Sequence, residues 1–185
     1  MSSFDRPNDP DIAASPWVTR FAPLIRAGGR VLDVAAGHGR HTRHLLGAGY
    51  EVTAVDIDTS GLSDLSGSNG LTILEANIED DGWPFSVNTF DGIVMTNYLY
   101  RVHFPFLVEA LMADGVLLIE TFGAGNEKFG RPRNPDFLLQ PGELLSAFAG
   151  SLTVVAYEHG AEQVPRPAVR QRLCATKATE PISLT

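Results

Sequence analysis

The chain has 185 residues, 14 of them basic and 22 acidic, for a formal net charge of −8. At ~100–200 residues per domain that is one domain with a real core, and no run approaches the ~20 apolar residues of a membrane-spanning helix. The lone Cys174 excludes an intramolecular disulfide or a multi-cysteine zinc site, and the acidic balance argues against nucleic acid as a generic partner.

Met1–Asp11 is polar, with Pro7 and Pro10, and is unlike a signal peptide. Ser15 reads as a helix cap with Pro16 at the first helical position, and Pro23 should end that helix. This N-terminal segment, 1–27, either packs on a sheet edge or forms a flap over a site. A second unit, 28–185, opens at the Gly28-Gly29 break. Its strands are expected at Arg30–Ala36, Glu51–Asp56, Leu71–Ala76, Asp91–Asn97, Gly115–Phe122, Leu152–Glu158 and Ala168–Thr176. Helices are expected at Arg40–Leu46, Thr59–Ser66 (weakly), His103–Ala113 and Glu143–Ala149.

Strands alternating with helices give an α/β fold, a Rossmann-like doubly wound sheet of seven strands, mostly parallel. The last two strands lack a helix between them, so they should form an antiparallel C-terminal hairpin. Ligands of such sheets bind outside the carboxyl ends of the parallel strands. Function should therefore sit in the loops after residues 36, 56, 76, 97 and 122, with the His159–Pro167 connection on the same edge.

The strongest motif is Val31-Leu32-Asp33-Val34-Ala35-Ala36-Gly37-His38-Gly39-Arg40, a strand entering two glycines at the start of a helix. Gly37 and Gly39 let backbone approach a ligand, and the helix N-terminus offers free N–H groups to an anionic group. Asp33 is placed to accept hydrogen bonds from a ligand amine or the loop. Asp56 closes the second strand 23 residues later, near the ~20-residue offset of a ribose-binding acid. Together these point to a nucleoside ligand. Thr42 stands where a dinucleotide fingerprint needs its third glycine, and no Gly-Lys-Ser/Thr phosphate loop follows.

On these residues the chain resembles the class I S-adenosylmethionine-dependent methyltransferases, most closely over about residues 28–122. It is similar within them to the small bacterial enzymes of the TehB, tellurite-resistance-related type, which also carry Gly39-Arg40-His41 after the turn. The resemblance implies S-adenosyl-L-methionine as cofactor. It implies that Asp33, Gly37, Gly39 and Arg40 hold the methionine end, Asp56 the ribose diol, and Ile57 the adenine face. Asn77, where an aspartate is common, and Ile78 would meet the adenine edge, and Asn97 the methyl-transfer centre.

Candidates for the acceptor follow strand four and fill the long stretch 123–140. Tyr98 and His103 are possible bases, although Tyr98 could equally be buried beneath the cofactor and His103 could be a solvent-facing helix start. Arg101, Arg131, Arg133 and Asn134 could grip an anionic or soft small-molecule substrate, or belong to a solvated loop tied by ion pairs. Glu120 faces the pocket or bridges to a basic residue. Cys174 should pack in the last strand. No metal is expected, because His41 and His44 have no carboxylate partner and sit beside Arg40 and Arg43. No Asn/Asp-Pro-Pro-Tyr motif follows strand four, which discounts amino-methylation of bases. The rival readings are an NAD(P)-dependent oxidoreductase on a similar sheet and a non-catalytic nucleoside-binding module.

Overall fold

The computed structural model describes residues 13–164 and 166–183, so the polar stretch Met1–Asp11 lies outside the described residues. Seven strands form one sheet: β1 (Arg30–Val34), β2 (Glu51–Asp56), β3 (Leu71–Glu75), β4 (Phe90–Thr96), β5 (Leu111–Phe122), β6 (Thr153–Glu162) and β7 (Ala168–Thr176). Their order is β3-β2-β1-β4-β5-β7-β6. The pairs β1–β2, β1–β4, β2–β3 and β4–β5 are parallel, and β7 runs antiparallel to both β5 and β6. The expected doubly wound sheet with an antiparallel C-terminal hairpin is therefore the observed one.

The strands read as apolar runs because both faces are covered. Alternate residues go to opposite sides. Leu32, Val34, Ile93, Met95, Leu117 and Ile119 pack with Phe104 and Leu107 of α3 (Phe104–Ala110) and with Leu144 and Phe148 of α4 (Glu143–Phe148). Val31, Val52, Val94, Val116 and Leu118 face Trp17, Val18 and Phe21 of α1 (Pro16–Phe21) and Leu45 of α2 (Arg40–Gly47). The Ser15 side chain caps α1 by accepting from the Trp17 N–H, with Pro16 at the first position as expected. The α-helix ends at Phe21, and Pro23 falls in a following 3-10 turn. Of the two placements open for this segment, packing on the sheet is observed: Trp17, Val18 and Phe21 of α1 are buried, and the Trp17 indole donates to the Leu173 carbonyl at 3.2 Å.

Three expectations change. The helix expected over His103–Ala113 stops at Ala110, because Leu111 turns extended (ψ 135°) and pairs with Phe90 as the start of β5. Asp114, at φ 63°, lets the next residues loop out before Val116 rejoins Gly92. The weak helix at Thr59–Ser66 is a 3-10 stretch, Ser60–Leu65, and only loop and turn connect β3 to β4. The sixth strand runs on to Glu162, beyond the expected Glu158, while β7 keeps its expected bounds, so the two are separated only by residues 163–167.

Candidate donor and acceptor sites

The first turn is built by conformations that most residues avoid. Gly37 and Gly39 take φ values of 56° and 75°. A Cβ on Gly39 would lie 2.4 Å from Leu62 Cδ2, so this glycine fits both the left-handed cap of α2 and the chain packed on it. Ala35, a non-glycine at φ 53°, precedes them, and such backbone costs of order 1–3 kcal/mol and clusters at functional sites. Asp33 is buried and accepts the Thr42 hydroxyl at 2.6 Å. Burial raises its pKa to about 6, against the lowering effects of Thr42 and Arg40. Thr42, which spoils the dinucleotide fingerprint, is thus what anchors the acid of the turn to the helix. Arg40 opens α2 half-buried. Burial lowers its pKa, while the Glu120 and Asp33 carboxylates favour its charge.

Asp56 ends β2 beside this turn. Its carboxylate accepts the Gly37 N–H at 2.7 Å and the Asp58 N–H at 3.0 Å. A carboxylate has about four acceptor positions, so the two backbone bonds orient Asp56 and leave capacity for two more donors. Ile57, the next residue, is 65% exposed. In the following loop, Asn77 spends both ends of its amide on its own turn. It donates to Asp80 at 2.8 Å and accepts the Glu79 and Asp80 N–H groups. Ile78 is buried in the core. Asn77 therefore shapes this loop instead of presenting its side chain.

At the exit of β4, Asn97 has φ 54° and its side-chain oxygen accepts from Arg170 at 2.7 Å. Tyr98 is half-buried, and its hydroxyl is shut from water with no partner in hydrogen-bonding geometry. Burial first, then the nearby Glu79 and Asp56 carboxylates, push its pKa upward. That direction keeps the phenol protonated. His103 is buried rather than solvent-facing: its Nε2 lies 3.0 Å from the Ile78 carbonyl. Burial lowers its pKa. A neutral ring donating from Nε2 holds the Ile78 loop in place and leaves Nδ1 unprotonated and unpartnered. Arg101 is engaged within the protein. It forms a two-point pair with Glu143 at 2.5 and 3.2 Å and donates to the carbonyls of Asp136 and Leu138 at 2.6 and 2.9 Å. Four of its five N–H donors are used in pinning the long loop to α4.

That loop is further organised by buried Asn126, which donates to the Pro132 carbonyl and accepts the Val169 N–H. Asn134 caps a 3-10 turn by accepting from Asp136 N–H, so its oxygen is also committed locally. Arg131 and Arg133 flank Pro132, are exposed, and make no ion pair among the described residues. Pro132 itself lines a cavity of about 270 Å³ with Glu79, Asn97, Tyr98, Leu99, Thr121, Phe122 and Phe137.

Sequence reasoning left Glu120 open between pocket and bridge, and it is a bridge. The carboxylate is buried, accepts the Ser15 hydroxyl at 2.8 Å and Arg172 Nε at 2.7 Å, and lies 3.7 Å from Arg170. Arg170 and Arg172 are both also paired with Glu162. His41 completes the floor. Its Nε2 accepts the Ser15 N–H at 3.3 Å, so Nδ1 carries the ring proton toward the Thr96 hydroxyl at 3.2 Å. Burial, with Arg40 and His44, lowers its pKa to about 3.

Residues 10–165 match a family described as a methyltransferase domain. The chain belongs to that family. A curated relative, a tRNA U34 carboxymethyltransferase of Methylococcus capsulatus, is 33% identical over 148 residues, covering 68% of this chain and 44% of that protein. The chain thus spans less than half the length of the curated relative it matches. Among solved structures, TehB from Haemophilus influenzae superposes with a TM-score of 0.70 at 18% identity, covering 84% of this chain and 60% of that one. A Burkholderia thailandensis 1,6-didemethyltoxoflavin-N1-methyltransferase gives a TM-score of 0.67 at 21% identity, over 87% and 76% of the two chains. A Methanosarcina mazei protein described as an S-adenosylmethionine-dependent methyltransferase gives 0.68 at 15%, over 91% and 100%. The fold is that of the S-adenosylmethionine-dependent methyltransferases, TehB-like enzymes included.

S-adenosylmethionine is the donor that this methyltransferase fold implies, and the residues present fit it. Asp56 keeps two acceptor positions for a vicinal diol, and exposed Ile57 presents an apolar face for a flat base. Buried Asp33 and half-buried Arg40 supply an anion and a cation beside the glycine turn, matching an ammonium and a carboxylate. Bound there, the donor supplies an electrophilic methyl on a sulfonium. The chain's part is to orient it and keep water away.

Proposed function

We propose that this methyltransferase domain moves the methyl group of S-adenosylmethionine onto a small-molecule nucleophile by in-line displacement. Asp56 and Ile57 hold the nucleoside, Asp33, Gly37, Gly39 and Arg40 the amino-acid end, and the acceptor enters beside Tyr98. One observation carries this reading: the Asp56–Ile57 corner, with its spare acceptor positions and exposed apolar side chain, and the 270 Å³ cavity lie on the same edge of the sheet. The Asp56 carboxylate is close enough to perturb the Tyr98 hydroxyl that lines the cavity. Such a cavity suits a small acceptor, and Arg131 and Arg133, the exposed neighbours of the lining residue Pro132, suit one that is anionic or soft. Tyr98 and His103 shape the acceptor side.

A second reading, an RNA acceptor, draws on the name of the Methylococcus relative and on the exposed cations Lys128, Arg131 and Arg133. The net charge of −8 opposes it, since phosphate contacts dominate nucleic-acid affinity. Incubation with labelled donor and either a metabolite panel or an anticodon stem-loop separates the two. Release of S-adenosylhomocysteine with a metabolite supports the first reading, release with RNA alone supports the second, and release with neither points to a non-catalytic module. An oxidoreductase would instead bind NAD.

A further inference from the structure

Building on that methyl-transfer reading, we infer that the cavity takes a flat aromatic acceptor bearing an O–H or ring N–H, with Glu79 receiving the hydrogen of that group. The cavity is lined by three aromatic side chains, Tyr98, Phe122 and Phe137, drawn from three separate segments. A volume of about 270 Å³ exceeds the roughly 150 Å³ that accommodates a benzene, so one or two fused rings fit. Two of the aromatic walls are set differently. Phe122 is fixed, because Arg170 lies over its ring at 4.4 Å from the centroid while also donating to Asn97. Phe137 is 49% exposed on the 3-10 turn of the long loop, an apolar ring left uncovered at the mouth. Stacking on a flat ligand would cover it.

The lining carries one ionisable carboxylate and no cation, so an anionic substituent of the acceptor is met by exposed Arg131 and Arg133 beside Pro132, while the reacting group at Glu79 still carries its hydrogen. Glu79 makes no ion pair among the described residues, and its field reaches both Tyr98 and His103. It stands against the Tyr98 hydroxyl, the other polar group on the aromatic side of the lining, which donates toward its carboxylate and leaves it further acceptor positions. An acceptor X–H directed at Glu79 leaves its lone pair facing the donor edge. In the transfer, the X–C bond forms as the C–S bond breaks, and the C–S electron pair stays on sulfur. The X–H proton passes to the Glu79 carboxylate. The sulfonium charge is thereby exchanged for one proton, and the methylated product has lost the hydrogen that Glu79 held.

The test is calorimetric and does not depend on turnover. Protein loaded with S-adenosylhomocysteine is titrated with 2-naphthol and with 2-methoxynaphthalene, the same ring without the O–H. Native protein is expected to bind both at one site, with 2-naphthol about tenfold tighter, the scale of one hydrogen bond to a charged group. Glu79→Ala should erase that preference, and Phe137→Ala should weaken both ligands about three- to tenfold. Absence of binding by either ring, equal affinities in the native protein, or a preference that survives Glu79→Ala would overturn the inference. Failure of S-adenosylhomocysteine itself to bind would instead strike the methyl-transfer reading on which it rests.

Discussion

Asp56 and Glu120 are two carboxylates at the same end of one sheet, yet they do opposite work. Asp56 spends two acceptor positions on backbone N–H groups of its own turns and keeps the rest. Glu120 is enclosed by Ser15, Arg170 and Arg172, side chains brought from both ends of the chain. Across β4, β5, β7 and β6, Thr96, Glu120, Arg172 and Glu158 stand in one cross-strand row, so polar and charged partners meet at each step. The difference teaches how to sort charges on a ligand-binding edge. A group held by backbone with capacity left over is poised for a ligand, while one consumed by side chains holds the protein together.

Substitutions should break the two carboxylates differently. Glu120→Ala removes the shared partner of two arginines, of which Arg172 is one-fifth exposed. It should lower the unfolding free energy by ~1–3 kcal/mol, read by denaturant titration, because the Ser15 hydroxyl and two arginines lose a buried acceptor while the arginines keep Glu162. Asp56→Ala should instead leave unfolding little changed and weaken donor binding by ~1.5–3 kcal/mol in calorimetry. Equal effects of both substitutions on stability would erase the distinction.

The floor beneath Glu120 adds a pH dependence. His41 is held neutral, with a pKa lowered to about 3 by burial, whereas an unfolded histidine titrates near 6.5. Protons then bind the unfolded state first. Stability contributed by neutral His41 is full above about pH 6.5 and is lost as pH falls toward 3. The slope from this group cannot exceed ~1.4 kcal/mol per pH unit. His41→Gln, which can still accept from Ser15 and donate to Thr96, should flatten a plot of Tm against pH in that window. Asp33, with a pKa raised to about 6 by burial, works with the opposite sign between its unfolded value and 6 and softens the native slope. The smallest effects belong to the loop. Arg131→Ala and Arg133→Ala should raise the acceptor KM a few-fold while donor affinity stays fixed. Unchanged kinetics in both variants would make the loop cations a solvated face.

Local features were legible in the sequence because they are local. The extent of β7, the left-handed glycines and the Asp56–Ile57 corner all follow from residues adjacent in the chain. Even so, Leu111 fits the helical spacing of α3 and becomes strand, because its pairing with Phe90 outweighs the periodicity. What the sequence could not show are contacts made over long separations. Ser15 reaches Glu120 across 105 positions, and Arg170 reaches Asn97 across 73. Arg101 looked like a substrate contact because its chemistry suits an anion, and only the fold reveals that Glu143 and two loop carbonyls already occupy it. Glu79, Phe122 and Phe137 gave no motif, since the cavity they line draws on three loops. Two signals were available and unused: Thr42 could have been matched with Asp33 nine residues earlier, and the non-glycine turn residues Ala35 and Asn97 each end a strand on the binding edge.

The most direct measurement is a calorimetric titration of the native protein with S-adenosylhomocysteine and, separately, with NAD. One site for S-adenosylhomocysteine and none for NAD is the predicted result, and it should be weakened by Asp56→Ala but not by Arg131→Ala. Binding of NAD without S-adenosylhomocysteine would contradict the account.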